Sequence, residues 1–580
     1  MPKTLNNFDT YITQALADWH IPGAAVAITK GDEVLHSGGY GLRDIKQGLP
    51  VTANTRFPIA SMTKPFTAMG AAILVDEGLL DWDHPIRDVM PDFRLHDDYA
   101  TQHANLRDLL SHRTGLPRHD TTWYGSDRAF EAILPELRYL EPTAPFRSQW
   151  QYNNLMYETV GMLCARLTES DSWYDFVQQR ILDPLGLNHT TPNHLTGDKQ
   201  FDDIALPYRL KNGDDQPQLL DFYENPLGPA GSIHSTLNDV VTWLKVHTQG
   251  GQGNGVQLVS PHTLKQMHTP HTIMPATPGQ EMMFNNALYA YGLAWFIEPY
   301  QGVTLLHHGG NINGFSVMGA FVPQEDIAIV VLTNIDGKGL RTALMYEALD
   351  RALEVNGNDW SAEMLKRNHE TVQAALAAEQ YTNDSQTSTA TQAPASHPLC
   401  DYAGSYKAKG YDALDIRYDN NALSIKYYGE LWPLNHLHYD VFEMDMRSRF
   451  DEAVKVSFSL DNFGFITRLN IPAEPDLGDM PFKRQPITLQ PTQQAALAGP
   501  YSYPLEGQSL EVLIEEEKLY LAITGKNKTA LHCVDQQDQS LSFKLEGNDS
   551  SVLEFVLEGG EVKTLLVNHP GALYRCVKAG

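Results

Sequence analysis

The stretch Phe57-Pro-Ile-Ala-Ser61-Met-Thr-Lys64-Pro-Phe66 places a serine three residues before a lysine. From there apolar residues recur at helical spacing, at Met62, Phe66, Met69 and Ile73. Pro65 is tolerated best in a first turn, so the pattern predicts a helix that begins close to Ser61 and ends at Gly78. Residues three apart share a helix face, here at the positive end of the helix dipole. This arrangement is typical of an activated nucleophile, in which the lysine accepts the hydroxyl proton of the serine.

The Ser-x-x-Lys string is a weak signal on its own. A chain of this length and ordinary composition contains roughly two or three such strings by chance, and this chain contains a single one. The catalytic interpretation therefore depends on whether further motifs lie downstream in the chain, and in which order.

Composition restricts the class of protein and its partners. The chain has 580 residues, of which 42% are hydrophobic and 20% charged, as in globular proteins, and its formal net charge is −28. This acidity argues against nucleic acid and anionic membrane surfaces as partners. We see no signal peptide at the start of the sequence and no apolar run of about 18 residues, so we expect a cytoplasmic protein that does not bind membranes. The four cysteines form no Cys-x-x-Cys motif and are expected to be buried free thiols.

The first 355 residues mix helical and strand patterns. A β-hairpin is predicted at 24–29 and 33–37, helices at 61–77, 155–168, 236–248 and 342–353, and adjacent strands at 315–322 and 327–333. Strands at both ends with helices between them predict an α+β fold. Its antiparallel sheet is flanked by helices, and its edge strands come from distant parts of the chain.

The sequence changes character after residue 370. The segment 373–398 is rich in Ala, Thr, Gln and Ser and is interpreted as a linker. Beyond it, short alternating strands recur, and the starts Gly404-Ser405-Tyr406 and Gly499-Pro-Tyr-Ser502-Tyr503 indicate one unit repeated after about a hundred residues. We therefore predict a catalytic domain at 1–370, a linker at 371–398, and two small antiparallel β-barrels at 399–487 and 488–580.

A second candidate motif is Gln151-Tyr152-Asn153-Asn154, on a loop that enters the helix predicted near 155. Tyr152 can pass a proton to a leaving group if nearby cations stabilise its phenolate, and Asn154 offers an amide to a substrate carbonyl. The structural alternative is a helix-capping asparagine beside a packed tyrosine.

The third candidate motif, His307-His308-Gly309-Gly310-Asn311, ends an apolar strand. Glycines there permit close approach of a substrate backbone, and the Asn311 amide is a candidate partner of the Ser61 amide in an oxyanion hole. Neighbouring strand residues point to opposite faces, so only one of the two histidines can face the site. The alternative is a structural histidine at a strand end.

Together the three motifs have the order and spacing found in serine β-lactamases and D,D-peptidases, which this chain resembles. The resemblance also includes 57–67, 109–117 and 229–239, and covers about residues 8–355. Tyr152-x-Asn154 is similar to the middle motif of class C β-lactamases and related esterases and peptidases. His308-Gly309-Gly310 departs from the usual Lys-Thr-Gly. The region from about 398 resembles the lipocalin-like β-domains that follow this catalytic domain in some family peptidases, including D-aminopeptidases.

The resemblance implies an acyl-enzyme mechanism without metal or cofactor. Ser61 attacks an ester or amide carbonyl, and Lys64, alone or with Tyr152, takes its proton. Tyr152 then protonates the leaving group and later activates water. His308 holds a substrate carboxylate or polarises Tyr152, with Asn154, Gly309, Gly310 and Asn311 binding substrate. Since a neutral histidine binds carboxylates less strongly than lysine, the departure favours peptides, amides or esters over penicillins.

Other functions are compatible with parts of this pattern. The leading hypothesis is a peptidase or amidase for small or peptide substrates, including D-residues. A carboxylesterase would use the same Ser61, since Gly-x-Ser-x-Gly is absent. A non-catalytic binding protein has no need of intact Ser61, Lys64 and Tyr152, and a metallohydrolase has only His436-Leu-His438 as a tight histidine pair. The β-tail either restricts substrate length or builds a homo-oligomer, and the aromatic residues Tyr427, Tyr428 and Trp432 favour the first role.

Overall fold

A computed structural model describes residues 3–192, 203–211, 214–221, 227–275, 288–336, 339–386, 393–447, 452–504, 508–537 and 539–579. The chain divides into two compact units, Met1–Thr389 and Ala390–Gly580. The four segments predicted from the sequence are finer than this division, and their boundaries remain predictions.

The helices of the described residues lie mainly in the first unit. In chain order they are α1 Phe8–Asp18, α2 Lys64–Asp76, α3 Ile86–Val89, α4 Asp98–His103, α5 Leu106–Leu110, α6 Phe130–Ile133, α7 Asn154–Leu167, α8 Trp173–Val177, α9 Asp183–Leu185, α10 Gly228–Gly231, α11 Leu237–Thr248, α12 Pro261–Met267, α13 Leu340–Ala352, α14 Trp360–Gln386 and α15 Pro491–Leu497. A 3₁₀ turn, Ala60–Thr63, leads directly into α2. The predicted helices at 61–77, 155–168, 236–248 and 342–353 are thus confirmed within three residues at each end.

The strands of the first unit are β1 Gly23–Lys30, β2 Glu33–Asp44, β3 Leu49–Pro50, β4 Phe57–Pro58, β5 Tyr208–Arg209, β6 Gln218–Leu219, β7 His234–Ser235, β8 Gln252–Gly253, β9 Val256–Gln257, β10 Thr272–Met274, β11 Tyr289–Tyr291, β12 Phe296–Tyr300, β13 Val303–Ile312, β14 Phe315–Val322 and β15 Ile327–Thr333. Nine of them form one sheet in the order β10-β11-β12-β13-β14-β15-β1-β2-β3. All neighbours in this sheet are antiparallel, as predicted.

The two distant parts of the chain meet inside this sheet. Ala24 of β1 pairs with Thr333 of β15, and the register continues to Lys30 opposite Ile327. The edge strands, β10 and β3, also lie more than 200 residues apart in the chain, so the expectation that the edges come from distant parts of the chain is confirmed. Both β14 and β15 are buried along their whole length, which is typical of strands covered on both faces.

Helices cover both faces of the sheet. On one face, α1 and α13 bury Phe8, Ile12 and Leu344 in a hydrophobic cluster with residues of β1, β14 and β15. On the other face, the His247 ring of α11 stacks on the Phe321 ring of β14, with ring centroids 5.3 Å apart. This confirms the predicted α+β layering.

The second unit is built from strands, as its alternating pattern predicts. They are β16 Gly404–Lys407, β17 Leu414–Asp419, β18 Ala422–Tyr427, β19 Glu430–His438, β20 Val441–Asp445, β21 Ala453–Leu460, β22 Ile466–Glu474, β23 Gly478–Arg484, β24 Gly499–Ser502, β25 Ser509–Glu515, β26 Lys518–Ile523, β27 Thr529–Gln537, β28 Ser540–Leu545, β29 Asn548–Glu558, β30 Glu561–His569 and β31 Ala572–Val577. The strands β16–β23 form a closed barrel. The strands β24–β31 form an eight-stranded sheet whose ends are joined by a bridge between Tyr501 and Lys578. The two predicted barrels are confirmed.

The repeat has a different register from the predicted one. Tyr406 donates its hydroxyl to the carbonyl of Tyr402 at 2.9 Å, and Tyr501 donates to the carbonyl of Leu497 at 2.7 Å. The equivalent tyrosines are therefore Tyr406 and Tyr501, whereas the sequence pairing used Ser405-Tyr406 and Ser502-Tyr503. The correct register aligns the buried tyrosine of each unit.

Three further expectations about the tail and its approach need correction. Helix α14 continues to Gln386, well into the segment expected to be a linker. Tyr427 and Trp432 are buried, and the Trp432 indole donates to the Tyr427 carbonyl at 2.8 Å, so neither is available for contact on a loop. Cys400, in the turn that starts the barrel, is exposed, while the other three cysteines are buried free thiols.

Candidate active site

Ser61 lies in the 3₁₀ turn before α2, and Lys64 is the first residue of that helix. Pro65 occupies the first helical turn, where its missing N–H costs nothing. The turn is anchored by pairing of β4 with β7, in which Phe57 faces Ser235. This pairing brings the chain around residue 230 next to the start of α2.

The side chain of Lys64 is fully buried and surrounded by oxygen atoms. Its Nζ lies 2.8 Å from Asn154 Oδ1, 2.9 Å from the Ala230 carbonyl oxygen and 3.2 Å from Ser61 Oγ. Burial, followed by the positive charge of Arg118, holds the pKa of Lys64 well below its ordinary value.

These three contacts fit a neutral amine, which has two N–H groups and one lone pair. The amide and carbonyl oxygens carry no hydrogen, so they accept the two N–H groups. The third neighbour is a hydroxyl, which can donate to the lone pair. Lys64 is therefore arranged as a base toward Ser61.

Tyr152 lies on the other side of the serine, in a hydrogen bond with Ser61. Lys64 Nζ and the Arg118 guanidinium carbon are 4.7 Å and 5.2 Å from its ring centroid. Burial nevertheless raises the pKa of Tyr152 to about 12, although the Ser61 bond and Arg118 act to lower it. The phenol is therefore protonated at neutral pH, and Ser61 Oγ is in hydrogen-bond reach of both Tyr152 and Lys64 Nζ.

Asn153 and Asn154 divide two tasks at the start of α7. The N-cap is Asn153, whose side chain accepts the Met156 N–H at 3.1 Å. This leaves the Asn154 amide free to bind Lys64 through Oδ1, while its Nδ2 faces Asp120 Oδ1 at 3.4 Å. The capping alternative considered for this motif thus applies to Asn153.

The third motif forms the far half of β13. β12 pairs with β13 only as far as His307, so residues 308–312 have one edge without a strand partner among the described residues. Ile312 and Phe315 close the hairpin of β13 and β14, which leaves the Asn311 N–H pointing away from β14, toward that edge. This is the orientation required of an oxyanion-hole donor.

His308 is buried and uses both ring nitrogens. Its Nδ1–H donates to the Gly309 carbonyl at 2.7 Å, so its Nε2 accepts from the Tyr291 hydroxyl at 2.9 Å. Burial holds the pKa of His308 well below its ordinary value. Its ring centroid lies 6.5 Å from that of Tyr152. His307, by contrast, lies near Tyr289 and Glu298.

Gly309 and Gly310 differ in how closely other parts of the protein pack against them. A Cβ at Gly310 would lie 2.1 Å from the Ile59 carbonyl oxygen, just before the Ser61 turn. A Cβ at Gly309 would lie 3.1 Å from the Arg341 guanidinium carbon. Close packing against Ile59 therefore explains Gly310, in addition to any substrate approach expected from the sequence, whereas a Cβ at Gly309 would meet only the end of a side chain.

Comparison with known proteins identifies the family. The beta-lactamase family profile matches residues 8–353, more than half of the chain. The chain belongs to the beta-lactamase family. A second match, to a domain of unknown function (DUF3471), covers residues 388–486. The family assignment confirms the resemblance and the predicted serine hydrolase class.

Individual relatives of this beta-lactamase-family protein are distant. It is 28% identical to the unguisins hydrolase ungD' of Aspergillus campestris (strain IBT 28561) over 432 residues, 71% of this chain and 78% of that protein. It is 25% identical to protein flp of Staphylococcus aureus (strain MW2) over 340 residues, 57% of this chain and 63% of that protein. The octameric penicillin-binding protein homologue from Pyrococcus abyssi aligns with 98% of this chain and 99% of its own, at 18% identity and a TM-score of 0.52, which supports the fold.

Sequence reasoning missed three contributors to this beta-lactamase-like site. Arg118 lies over the Tyr152 ring and pairs with Asp120 at 2.6 Å. The Ala230 carbonyl binds Lys64. Glu158 is buried in α7 and accepts the Ala230 N–H at 2.9 Å. The resemblance over 229–239 indicated that this segment belongs to the site. A main-chain carbonyl can come from any residue type, so the sequence does not identify Ala230 as an acceptor.

The histidine pair His436 and His438, considered as a candidate metal site, is not part of this site. His436 and His438 lie on β19, and His436 Nε2 bonds the Tyr439 carbonyl at 2.8 Å. Within the described ranges, no three His, Cys, Asp or Glu side chains are grouped to hold a metal ion. In the same ranges, no helix has both the length and the apolar character needed to cross a membrane.

Proposed function

We propose that this protein is an amidase or peptidase that works through an acyl-enzyme on Ser61. The observation that carries the proposal is the environment of Lys64, a buried amine with two hydrogen-free acceptors and a serine hydroxyl as its third neighbour. Such an amine is ready to take a proton at neutral pH.

The proposed acylation step returns Lys64 and Tyr152 to their starting protonation states. Ser61 Oγ attacks the carbonyl carbon while its proton moves to Lys64 Nζ. The Ser61 and Asn311 N–H groups stabilise the oxyanion. As the carbon–nitrogen bond breaks, Tyr152 gives its proton to the leaving amine and regains one from Lys64, which restores both groups.

Deacylation repeats the sequence with water in place of Ser61. Lys64, with Tyr152, takes a proton from the water that attacks the acyl-enzyme, and Ser61 Oγ is reprotonated as the acid leaves. The predicted roles of Asn154, Gly309 and Gly310 in binding substrate belong to this proposal. We assign His308 a polar, uncharged role beside Tyr291, because both of its nitrogens are engaged.

Amide substrates are favoured by two considerations. A protonated Tyr152 is useful when the leaving group is a poorly stabilised amine, and less so for an ester alcohol. The unguisins hydrolase is also a relative over most of this chain. A neutral His308 in place of a lysine makes carboxylate-directed penicillin binding the less favoured use of the site.

The test is covalent labelling followed by a substrate screen. A fluorophosphonate should label the peptide that contains Ser61, and Ser61→Ala should abolish both labelling and turnover while the circular dichroism spectrum is kept. p-Nitroanilides of D- and L-amino acids, assayed beside the matching p-nitrophenyl esters, then establish the acyl group and its chirality.

Each outcome of that screen is informative. Hydrolysis of anilides supports the amidase. Hydrolysis of esters alone would replace it with a carboxylesterase that uses the same Ser61. A label on a peptide that lacks Ser61 would contradict the assignment of Ser61 as the nucleophile. The absence of any label would contradict it too, and would favour a binding protein on this fold.

A further inference from the structure

His112 is a buried histidine that the proposed mechanism does not use. It follows α5 and adopts a left-handed backbone conformation, with φ of 57°. Its ring lies among three tyrosine rings, with centroid distances of 4.4 Å to Tyr152, 5.1 Å to Tyr157 and 5.0 Å to Tyr291. A histidine in this backbone region is uncommon, and its retention requires compensating contacts.

The contacts of His112 hold the main chain of the residues before and after Tyr152. The Gln151 N–H donates to the His112 carbonyl at 2.7 Å. The Asn153 N–H donates to His112 Nδ1 at 3.1 Å. One residue, through its main chain and its side chain, therefore fixes the backbone on each side of the tyrosine.

The hydrogen bond also defines the state of the ring. Because Nδ1 accepts from Asn153, the single proton of the neutral ring is on Nε2. This Nε2 is buried and has no hydrogen-bond partner in the described part of the chain. Burial holds the pKa of His112 well below its ordinary value, in agreement with a neutral ring.

We propose that His112 is a positioning residue that fixes Tyr152 for proton donation to the leaving group. This inference rests on the proposed function, because it assigns His112 a role through the general acid of that reaction. A misplacement of about 1 Å at a reacting group can lower the rate about 100-fold. The loss should depend on how much the leaving group needs a proton.

The experiment compares two leaving groups on one acyl group. The substrates are the best p-nitroanilide from the screen and the p-nitrophenyl ester of the same amino acid. p-Nitroaniline must be protonated as it leaves, whereas p-nitrophenolate leaves as a stable anion. We expect His112→Leu to lower kcat/KM, which reports on acylation alone, about 100-fold on the anilide and only a few-fold on the ester.

His112→Asn is the matched conservative variant. Asparagine tolerates the left-handed conformation, and its Oδ1 stands where Nδ1 accepts the Asn153 N–H. It should recover most of the anilide activity. Tyr152→Phe should show the same leaving-group preference, and His112→Leu should add little to it, as expected for residues that act through one group.

Equal losses on both substrates in His112→Leu, or no recovery in His112→Asn, would overturn the inference and leave His112 a structural residue. If Tyr152→Phe loses activity mainly on the anilide and His112→Leu does not, the inference about His112 is overturned and the proposed function stands. A Tyr152→Phe variant that loses both activities alike would overturn the role of Tyr152 itself. Fluorophosphonate labelling of Ser61 confirms that each variant is folded.

Discussion

Lys64 owes its basicity to the side chains and carbonyls around it. A lysine in water is protonated at neutral pH, whereas burial in the first unit and the Arg118 charge favour its neutral form. Asn154 Oδ1 and the Ala230 carbonyl then satisfy the amine without holding a proton of their own. The same burial has the opposite consequence for the Tyr152 phenol, which keeps its proton.

The lowered pKa of Lys64 and the raised pKa of Tyr152 predict the pH dependence of kcat/KM. Protonation of Lys64 removes the base, so activity should fall as the pH drops through the lowered pKa of Lys64. Loss of the Tyr152 proton removes the acid, but burial raises the pKa of Tyr152 to about 12. The profile should therefore lack an alkaline decline up to about pH 10. Initial rates from pH 5 to pH 10 test this, and a decline beginning near pH 8 would contradict the assignment.

At the level of single elements, the start of α2 depends on strand β13. A Cβ at Gly310 would lie 2.1 Å from the Ile59 carbonyl oxygen, so the strand or the Ser61 turn must move. We expect Gly310→Ala to lower kcat/KM about 100-fold or more, with the fold retained.

Gly309→Ala is the matched control for Gly310→Ala. Its added Cβ meets the end of the Arg341 side chain at 3.1 Å, and a flexible side chain can shift slightly. Its kcat/KM should stay within about tenfold of the unmodified protein. Similar losses in the two variants would show that packing against Ile59 is not what requires a glycine.

Buried His247 of α11 contacts half-buried His268, which follows the end of α12. His247 Nδ1 and His268 Nε2 are 3.1 Å apart. Burial lowers the pKa of His268 to about 3 and that of His247 well below its ordinary value. Both rings are neutral when folded, whereas in the unfolded chain each binds a proton below about pH 6.5. Their contribution to stability is complete above pH 6.5 and is lost as the pH falls toward 3.

We expect His268→Gln to reduce this acid sensitivity. The Gln amide can still donate to His247 Nδ1 but does not titrate. The free energy of unfolding should then change with pH less steeply between pH 6.5 and 5, by up to about 1.4 kcal/mol per pH unit. Urea unfolding followed by tryptophan fluorescence reports on the first unit, since every tryptophan except Trp432 precedes residue 390.

Exposed His84 provides the control for this measurement. His84→Gln should leave the pH dependence unchanged, because this side chain is exposed to solvent in the folded protein as it is in the unfolded chain. An unchanged slope in His268→Gln would mean that this ring is already protonated in the folded protein.

The sequence predicted elements better than it predicted contacts. Strands 315–322 and 327–333 have the predicted bounds, because their apolar patterns are unbroken between turn residues. The short strands β10 to β12 have too few residues for a pattern. The central place of β1 depends on its pairing with β15, which local sequence does not encode.

At the scale of the whole molecule, contacts between distant parts of the chain also limited the prediction of the site. Ser61, Lys64 and Tyr152 were found because each belongs to a local motif. Arg118 and the Ala230 carbonyl were missed, because the first reaches Tyr152 from a loop and the second acts through its main chain. Such contributors are visible only once distant parts of the chain are placed together.

The two units should be separable. The cluster that joins α1, α13 and the sheet lies within residues 8–360, and the last barrel has its own cluster within residues 489–576. A protein that ends at Gln386 should therefore fold and hydrolyse p-nitrophenyl esters with the kcat/KM of the full chain. An insoluble product would contradict independent folding.

The same truncated protein distinguishes the two proposed roles of the tail. If the tail restricts the cleft, selectivity among peptides should relax on its removal. If it builds a homo-oligomer, light scattering should show a lower mass with selectivity unchanged. Burial of Tyr427 and Trp432 removes the sequence argument that favoured the first role.

The central pairing of β1 with β15 also has a consequence in time. Val26 and Ile28 are made early, but their partners Val331 and Ile329 leave the ribosome only about 300 residues later, some 15 to 60 seconds at ordinary rates of translation. During that interval strand β1, seven of whose eight residues are buried in the folded protein, has one unpaired side. The enzyme cannot complete its sheet until nearly the whole catalytic unit has been synthesised, so its yield in a cell should depend on chaperones that shield this strand.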